Sequence, residues 1–303
     1  MAKIINFHDI YDRQWFEETL DVIQELYEIV PFSEIEQFYQ GKKTSKNIAH
    51  LTVDDGHIST YNLIYPVLKE RNLTASIFVS PKIIEGQTNF WYFESGDYDK
   101  EKLRKCISDI LQIDSTKLNN LYPRSIMKNL QLDQNWKIID LYRKKYNVSL
   151  KEGQYINTEQ LLELEKSGVF HIGAHTMNHP ILANENDEVS EYEIKASIDE
   201  LGKLLNRKIT TFAYPNGKEG IDFGEREMNF MKEIDVKYAF SFEFRNLKKS
   251  DNLLSIPRFG LYHGNKDFVR KKLKYGAIWE PIKSKLFSNE EKYRKNIVKK
   301  LNL

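Results

Sequence analysis

Short apolar runs alternate along this chain with segments in which apolar residues recur every three or four positions. Runs of this length are typical of buried strands, and the longer periodic segments are typical of helices with one face against a core. Regular alternation of the two predicts an α/β fold with a mainly parallel sheet, either open or closed into a barrel. The predicted strands are 3–8, 47–53, 74–80, 169–175, 209–215, 237–242 and 253–261, and the predicted helices include 15–30, 158–168 and 189–206.

One long stretch, 81–157, interrupts this alternation. It is rich in Lys, Asp and Asn and carries an aromatic cluster, NFWYFESGDY, at 89–98. We interpret it as a helical insertion within a single domain that spans 1–303, a length that can bury one large core. A last amphipathic helix is predicted at about 289–301, where a solvated basic face is favoured over a membrane contact. Within the insertion, helices are predicted around 100–111, 122–130 and 135–146.

Two adjacent carboxylates, Asp54 and Asp55, follow the second predicted strand. Neighbouring anions repel each other and lose hydration on burial, so they indicate either an exposed turn or a bound divalent cation. His175 ends a later strand, and His179 follows four residues further on. Because reactive residues of parallel α/β folds gather at the carboxyl ends of strands, we expect these four side chains to meet. Two histidines with a carboxylate are a ligand set typical of catalytic zinc.

The charge balance and the single cysteine limit the classes of site and partner. Lys and Arg number 45 against 44 Asp and Glu, and this net charge of +1 gives no reason to expect nucleic acid or an anionic membrane as partner. Cys106 is the only cysteine, so protein ligands to a metal must be His, Asp or Glu. The N-terminal sequence has no signal-peptide pattern and no apolar run has membrane-spanning length, so we expect a cytoplasmic protein without a membrane span. The sequence predicts no particular oligomeric state.

A third motif, FAYPNG at 212–217, places a Pro-Asn-Gly turn directly after an apolar strand. Such a turn is either an ordinary β-turn or a means of presenting a backbone N–H to an anionic transition state. Together with TVDDG at 52–56 and HTMNH at 175–179, it resembles the polysaccharide deacetylase family (NodB homology domain, carbohydrate esterase family 4) in its FAYP-type branch. The resemblance covers roughly 47–261. It implies a distorted (β/α) barrel of about seven units and metal-dependent removal of N-acetyl groups from sugars.

The resemblance implies a role for each matching residue. Asp54 corresponds to the general base, and Asp55, His175 and His179 correspond to the metal ligands. One divalent metal is expected, with Zn²⁺ as first choice and Co²⁺, Ni²⁺ or Fe²⁺ able to use the same ligands. Metal-activated water would then attack the amide carbonyl. The turn that would line the acyl pocket consists of Tyr214, Pro215, Asn216 and Gly217, with the N–H of Asn216 as oxyanion donor.

Two parts of the family pattern are altered or only partly matched. Many members carry Arg where this chain has Phe212, and Arg258 on a later strand resembles the replacement that orients the base. The general acid is matched by His263 in the sequence Leu-Tyr-His, with a plain loop histidine as the equal alternative. His8 and His57 are rivals near the predicted pocket, and for both a non-catalytic role is favoured.

The predicted substrate is an N-acetylated carbohydrate, and a cytoplasmic location favours a precursor of a surface polysaccharide. Trp91 and its aromatic neighbours would either stack on a sugar or pack the insertion against the barrel. Other functions stay open: hydrolysis of an O-acetyl ester or a small non-sugar amide, a catalytically weak carbohydrate-binding pseudoenzyme, and a non-hydrolytic regulator that binds Mg²⁺. The regulator would leave the paired histidines unexplained.

Overall fold

The strands lie where the apolar runs predict them. The computed structural model describes residues 1–43, 46–286 and 290–303. One short strand, at 28–29, was not predicted, because two residues carry no readable periodicity. The strands are β1 (Ala2–Phe7), β2 (Glu28–Ile29), β3 (Ile48–Asp54), β4 (Ala75–Val79), β5 (Phe170–Ala174), β6 (Thr211–Ala213), β7 (Tyr238–Phe240) and β8 (Phe259–Gly260).

Seven of these strands form a distorted parallel barrel. Their spatial order is β7-β6-β5-β4-β3-β1-β8, with β2 beside β3, and the strand pairs given by the described residues are parallel. The segment that leads into β8 also pairs with β7, through a bridge between Ile256 and Phe240. This segment and β8 together therefore connect the two edges of the sheet, β7 on one side and β1 on the other. This arrangement confirms the predicted α/β fold, a distorted (β/α) barrel of about seven units.

Helices surround the barrel. Predicted boundaries are close to the observed ones where capping residues mark them: Asn157 caps α9, and Gly168 ends it in the left-handed conformation. The helices are α1 (Arg13–Leu26), α2 (Phe32–Tyr39), α3 (Tyr65–Glu70), α4 (Pro81–Gly86), α5 (Trp91–Glu94), α6 (Lys100–Leu111), α7 (Pro123–Met127), α8 (Leu132–Tyr146), α9 (Thr158–Ser167), α10 (Asp187–Leu205), α11 (Glu225–Glu233), α12 (Lys266–Leu286) and α13 (Glu290–Leu301).

The barrel strands are buried on both faces. All six residues of β1 and all seven of β3 are buried, as expected for parallel strands that have side chains inside the barrel and helices outside it. The apolar residues of the strands and of the surrounding helices form the main core. Because the strands run parallel, their carboxyl ends open on one face of the barrel, which is where the predicted site residues lie.

The insertion has a small core of its own. Trp91, Leu103, Ile139 and their neighbours form an apolar cluster that also receives Ile297 and Leu301 from α13. The apolar face of the C-terminal helix therefore packs against the insertion, and its first predicted residue, at 289, lies outside the described residues. That the insertion belongs to one domain with the barrel stays a prediction. Among the described residues, no helix combines the length and the apolar character needed to cross a bilayer.

Candidate metal and catalytic site

A tight turn after β3 holds the two neighbouring carboxylates. Asp54 is the last residue of the strand, while Asp55 has φ 72° and Gly56 has φ 68°, so both residues of the turn are left-handed. Gly56 is required there, because a Cβ atom would also come within 3.1 Å of Val79 Cγ1. The turn is the reason why two adjacent side chains have different partners.

Asp54 is held by Arg258. The guanidinium donates one hydrogen bond to each carboxylate oxygen, at 2.6 and 2.8 Å, and both residues are almost fully buried. Asn6 donates a third hydrogen bond to Asp54, at 3.1 Å. Burial alone would raise the pKa of Asp54, but the positive charge of Arg258 outweighs it and holds the pKa below its ordinary value. Asp54 is therefore an ionised, oriented carboxylate at neutral pH.

Asp55 faces the two histidines instead. Its Oδ1 atom lies 3.4 Å from Nε2 of His175 and 3.5 Å from Nε2 of His179. Single ligand atoms of the three residues lie within 4.8 Å of one another. Oδ1 of Asp55 is buried and has no hydrogen-bond partner within the described part of the chain. A buried carboxylate oxygen left in this way is costly, and a divalent cation bound by one carboxylate and two imidazoles would satisfy it.

The protonation states suit cation binding. His175 donates its Nδ1 proton to the carbonyl of Ala213, at 2.7 Å, which leaves the Nε2 lone pair directed at Asp55. Burial lowers the pKa of His179 to about 3, so its ring is neutral. For Asp55, burial raises the pKa, but the nearby imidazoles of His175 and His179 outweigh it and hold the pKa well below its ordinary value. The residues present therefore fit a divalent metal.

The loop that carries the histidines is not helical. Thr176 and His179 have φ values of 64° and 58°. Glu193, a buried residue of α10, accepts hydrogen bonds from the backbone N–H groups of Met177 and Asn178, each at 2.9 Å. Sequence analysis did not single out Glu193. The sequence feature that could have indicated Glu193 is a carboxylate on the buried face of α10, where the residues one turn away are also buried.

The FAYPNG motif forms the predicted turn after β6. Asn216 is exposed and has φ 54°. Gly217 has φ 78°, and a Cβ atom at this position would lie only 3.1 Å from the backbone nitrogen of Phe242. The hydroxyl of Tyr214 donates to the carbonyl of Leu254, at 2.9 Å, so this phenol is engaged in the core. Pro215 is buried in the same turn.

A cavity of about 940 Å³ opens over these groups. Phe242, Phe244 and Tyr262 add aromatic rings to its wall, and α12 and α13 contribute part of its rim. Of the residues predicted for the site, it is lined by His8, Asp54, Asp55, Trp91, His175, His179, Tyr214, Asn216 and Arg258.

His263 is a correction to the sequence analysis. Its side chain is 72% exposed, stacks on the Trp15 ring at 5.1 Å and lies 3.7 Å from Asp12. It is not among the described residues that line the cavity. The Leu-Tyr-His match therefore does not bring this imidazole to the reacting groups. His8 lies closer, with Nε2 at 3.9 Å from Asp54 Oδ2 and a side chain that is 46% exposed.

His57 and Trp91 lie at the edge of the site. His57 is buried, and its ring contacts Ser59 and Tyr11. His57 and Tyr11 also line a second, smaller cavity. Trp91 is 1% exposed and donates its indole N–H to the carbonyl of His179, at 3.1 Å. Of the two roles expected for Trp91, the structure shows packing of the insertion against the barrel.

Tyr92, an aromatic neighbour of Trp91 that was expected to stack on a sugar or to pack the insertion, contacts a candidate metal ligand instead. It donates a hydrogen bond of 2.8 Å to Oδ2 of Asp55, and its ring lies 4.9 Å from that of His179. The insertion thus contacts two candidate metal ligands through consecutive residues of α5. The aromatic cluster in the sequence indicated that a ring could reach the site. Only the packing of the insertion shows that the ring directed at Asp55 is that of Tyr92.

The chain is similar in sequence to known polysaccharide deacetylases. The family model "Polysaccharide deacetylase" matches residues 41–239. YxkH of Bacillus subtilis (strain 168), whose name describes it as a polysaccharide deacetylase, is 30% identical over 132 residues, which are 43% of this chain and 45% of that protein. The match thus spans less than half the length of this relative.

Two solved structures are similar in fold. The Streptococcus pyogenes deacetylase PplD in complex with acetate is 17% identical, with a TM-score of 0.58 over 88% of this chain and 95% of that chain. IcaB from Ammonifex degensii is 15% identical, with a TM-score of 0.59 over 92% of this chain and 96% of that chain. At these identities the similarity concerns the fold alone. Because the family model covers more than half of the sequence, this chain belongs to the polysaccharide deacetylase family.

Proposed function

We propose that this protein is a metal-dependent hydrolase that removes N-acetyl groups from an N-acetylated sugar or polysaccharide precursor. The proposal depends on one observation: the two adjacent carboxylates have different partners. Asp54 is paired with Arg258, and Asp55 faces His175 and His179. One carboxylate is thereby available for a proton while its neighbour is available for a cation.

Asp54 is the proposed general base. A divalent metal held by Asp55, His175 and His179 would supply Lewis-acid activation of water and of the acetyl carbonyl. Arg258 and Asn6 use some of the acceptor positions of Asp54, and a carboxylate has about four, so positions remain for a proton from the attacking water. Because the pKa of Asp54 is held low, the carboxylate is ionised before the reaction begins.

The turn after β6 and His8 complete the proposed mechanism. The N–H of Asn216 is the proposed donor to the developing oxyanion, since this exposed residue lines the cavity in a tight left-handed turn. An amine is a poor leaving group until it is protonated, so a general acid is needed. His8 takes this role in the proposal because it lies in the cavity beside Asp54, whereas His263 does not.

The finer assignments rest on ligand chemistry and on the sequence. Zn²⁺ is the proposed metal because a carboxylate with two imidazoles suits it, and Co²⁺, Ni²⁺ or Fe²⁺ can use the same donors. The cytoplasmic location stays a prediction, and fractionation of cells that produce the protein tests it.

Release of acetate tests the proposal directly. Metal-loaded protein is incubated with N-acetylated oligosaccharides, with an O-acetylated sugar and with small non-sugar amides, and acetate is measured. The proposal predicts release from N-acetylated sugars at least tenfold faster than from the other substrates, to be lost in Asp54→Asn. Faster release from the ester or the small amide would favour the alternative hydrolases. Sugar binding without release under any of the four metals would favour a pseudoenzyme.

A further inference from the structure

The outer face of α12 carries a row of exposed apolar side chains, which we call the α12 stripe. Tyr275, Ile278, Trp279 and Ile282 are between 43% and 67% exposed, and they recur at the three- and four-residue spacing of one helix face. Phe268, also exposed, lies on the same face two turns earlier. A contiguous row of large exposed apolar side chains marks a surface that contacts a partner or a membrane.

The opposite face of α12 fixes this orientation. Val269 and Leu273 are buried and belong to the main core of the barrel. Arg270 donates a hydrogen bond to a carboxylate oxygen of Glu25 on α1, at 2.7 Å. Because these contacts hold the helix on the barrel by its inner face, the α12 stripe stays directed outward.

Unpaired lysines accompany the α12 stripe. Residues 266–286 contain seven basic and two acidic residues, whereas the whole chain has a net charge of only +1. Lys271 and Lys274 are exposed one helical turn from stripe residues, and neither forms an ion pair within the described part of the chain. Of the acidic residues, Asp267 pairs with an arginine of the same helix and Glu280 lines the catalytic cavity. The charge balance of the whole chain therefore conceals a local positive surface.

Aromatic and aliphatic side chains beside free lysines fit an anionic membrane surface. A helix that lies in the bilayer interface has such residues on one face and buries that face by about 5–10 Å at the boundary of headgroups and acyl chains. Tyr275 and Trp279 are residue types enriched at that depth. A second copy of the chain fits less well, because it would bring two sets of unpaired lysines together and like charges oppose such a contact.

We propose that α12 docks the protein on the surface of a membrane rich in anionic lipid, with the α12 stripe in the headgroup region. The helix lies in the plane of the interface and does not cross the bilayer. Ala277 and Glu280 of the same helix line the catalytic cavity, so docking would hold this cavity close to the membrane. The inference goes beyond the proposed deacetylase activity and does not depend on it, since membrane binding is measured without substrate.

Vesicle flotation tests the docking. The protein is mixed with vesicles of phosphatidylcholine alone or of equal parts phosphatidylcholine and phosphatidylglycerol, and the partition coefficient is measured at low and high salt. We expect partition onto the anionic vesicles to be at least about tenfold stronger, and to weaken as salt screens the lysines.

Two double variants separate the apolar and the charged contributions. Ile278→Ser/Trp279→Ser removes two large side chains of the α12 stripe and should lower the partition coefficient at least about tenfold on the anionic vesicles. Lys271→Gln/Lys274→Gln removes two positive charges and should lower it about tenfold or more on the anionic vesicles only.

The matched control is Leu150→Ser/Tyr192→Ser, which changes exposed apolar residues on other surfaces and should bind like wild type. Absence of flotation with anionic vesicles, or equal flotation of wild type and Ile278→Ser/Trp279→Ser, would overturn the inference. A wild-type dimer that ignores vesicles and becomes a monomer in Ile278→Ser/Trp279→Ser would overturn it too, and would assign the α12 stripe to a second copy. Acetate release from a water-soluble N-acetylated oligosaccharide, measured without vesicles, should be the same in wild type and in this variant. Failure of docking would therefore leave the proposed function standing, and the reverse also holds.

Discussion

Two pairs of buried or largely buried histidines lie at opposite ends of the same barrel. His50 and His171 lie toward the amino ends of β3 and β5, and His175 and His179 lie beyond the carboxyl end of β5. At the amino end, His50 donates Nδ1–H to the carbonyl of Val30 and accepts at Nε2 from the hydroxyl of Ser76. His171 Nε2 bonds to the hydroxyl of Thr211. These partners are neutral.

At the carboxyl end the partners are charged and incomplete. His175 and His179 direct Nε2 at the carboxylate of Asp55, and Nδ1 of His179 has no hydrogen-bond partner within the described chain. Burial of a histidine therefore does not by itself identify a functional site. The distinguishing property is whether both ring nitrogens are satisfied by neutral groups, as in His50, or whether a lone pair faces an anion across a gap that a cation would fill.

The largest expected effect comes from Asp54. Asp54→Asn keeps the size of the side chain and removes the base, so we expect deacetylation to fall about a thousandfold. The metal content should stay at the wild-type value, because Asp55 and the two histidines are unchanged. The variant is accepted only if its melting temperature lies within a few degrees of wild type, since Arg258 loses its paired charge. A rate within threefold of wild type would contradict the role of Asp54.

The two candidate general acids are separated by the leaving group. His8→Ala should slow amide hydrolysis about a hundredfold, because the amine must leave protonated. Hydrolysis of p-nitrophenyl acetate should fall much less, because this leaving group departs without a proton. His263→Ala is the matched control and should change either rate less than twofold, as expected for a residue outside the cavity. Equal losses on both substrates in His8→Ala would contradict an acid role.

The histidines at the amino end should affect stability and not chemistry. Burial lowers the pKa of His50 to about 4, from the ordinary value of 6.5. Because the folded pKa is the lower one, the stabilisation is complete above pH 6.5 and is lost as the pH falls toward 4. For this residue we expect a loss of about 2 kcal/mol in unfolding free energy between pH 7 and pH 5.

Urea unfolding of the metal-free protein measures this dependence. In His50→Gln the slope of stability against pH between 7 and 5 should be reduced by the contribution of His50. His171, whose pKa burial also lowers to about 4, should give a comparable reduction in His171→Gln. A wild-type slope in both variants would show that burial does not lower the pKa of either histidine.

The smallest effect is expected from Tyr92. Tyr92→Phe removes the hydrogen bond to Oδ2 of Asp55 and keeps the ring packed on Phe90 and His179. Loss of an outer hydrogen bond to a metal ligand typically weakens metal affinity about tenfold to a hundredfold. We expect about a tenfold weaker zinc affinity, measured by competition with a chelating dye. Tyr142→Phe, which changes a buried tyrosine of α8 within the insertion, is the control. Equal zinc affinities in Tyr92→Phe, Tyr142→Phe and wild type would contradict a positioning role for Tyr92.

Much of the barrel side of the site could be predicted from the sequence. Asp54, Asp55 and His175 follow apolar runs, and parallel strands bring such residues to one edge whatever the helices do. Arg258 precedes β8 and does not follow it, so its role was expected from the family resemblance and not from strand order. The insertion was different. Which of its aromatic rings turns toward Asp55 depends on the packing of a separate apolar cluster, so the hydrogen bond of Tyr92 to Asp55 was not predicted.

His263 shows that a three-residue sequence match does not determine where a side chain lies. Leu-Tyr-His fits a short pattern, but the loop after β8 directs the imidazole onto Trp15, whereas His8 gains its position from β1, which lies beside both β3 and β8. Glu193 was missed for a related reason. A charged residue on a helix is usually solvated, and only the fold shows that two backbone N–H groups of the histidine loop meet its carboxylate.

The metal content of the protein tests the central claim most directly. Protein purified without added metal and without chelator is analysed by elemental mass spectrometry beside the His175→Ala/His179→Ala variant and a His50→Gln control. We predict close to one equivalent of zinc or a similar divalent ion in wild type and in His50→Gln, and less than a tenth of that in the double variant. A wild-type protein that is empty and also fails to bind added zinc would contradict the account.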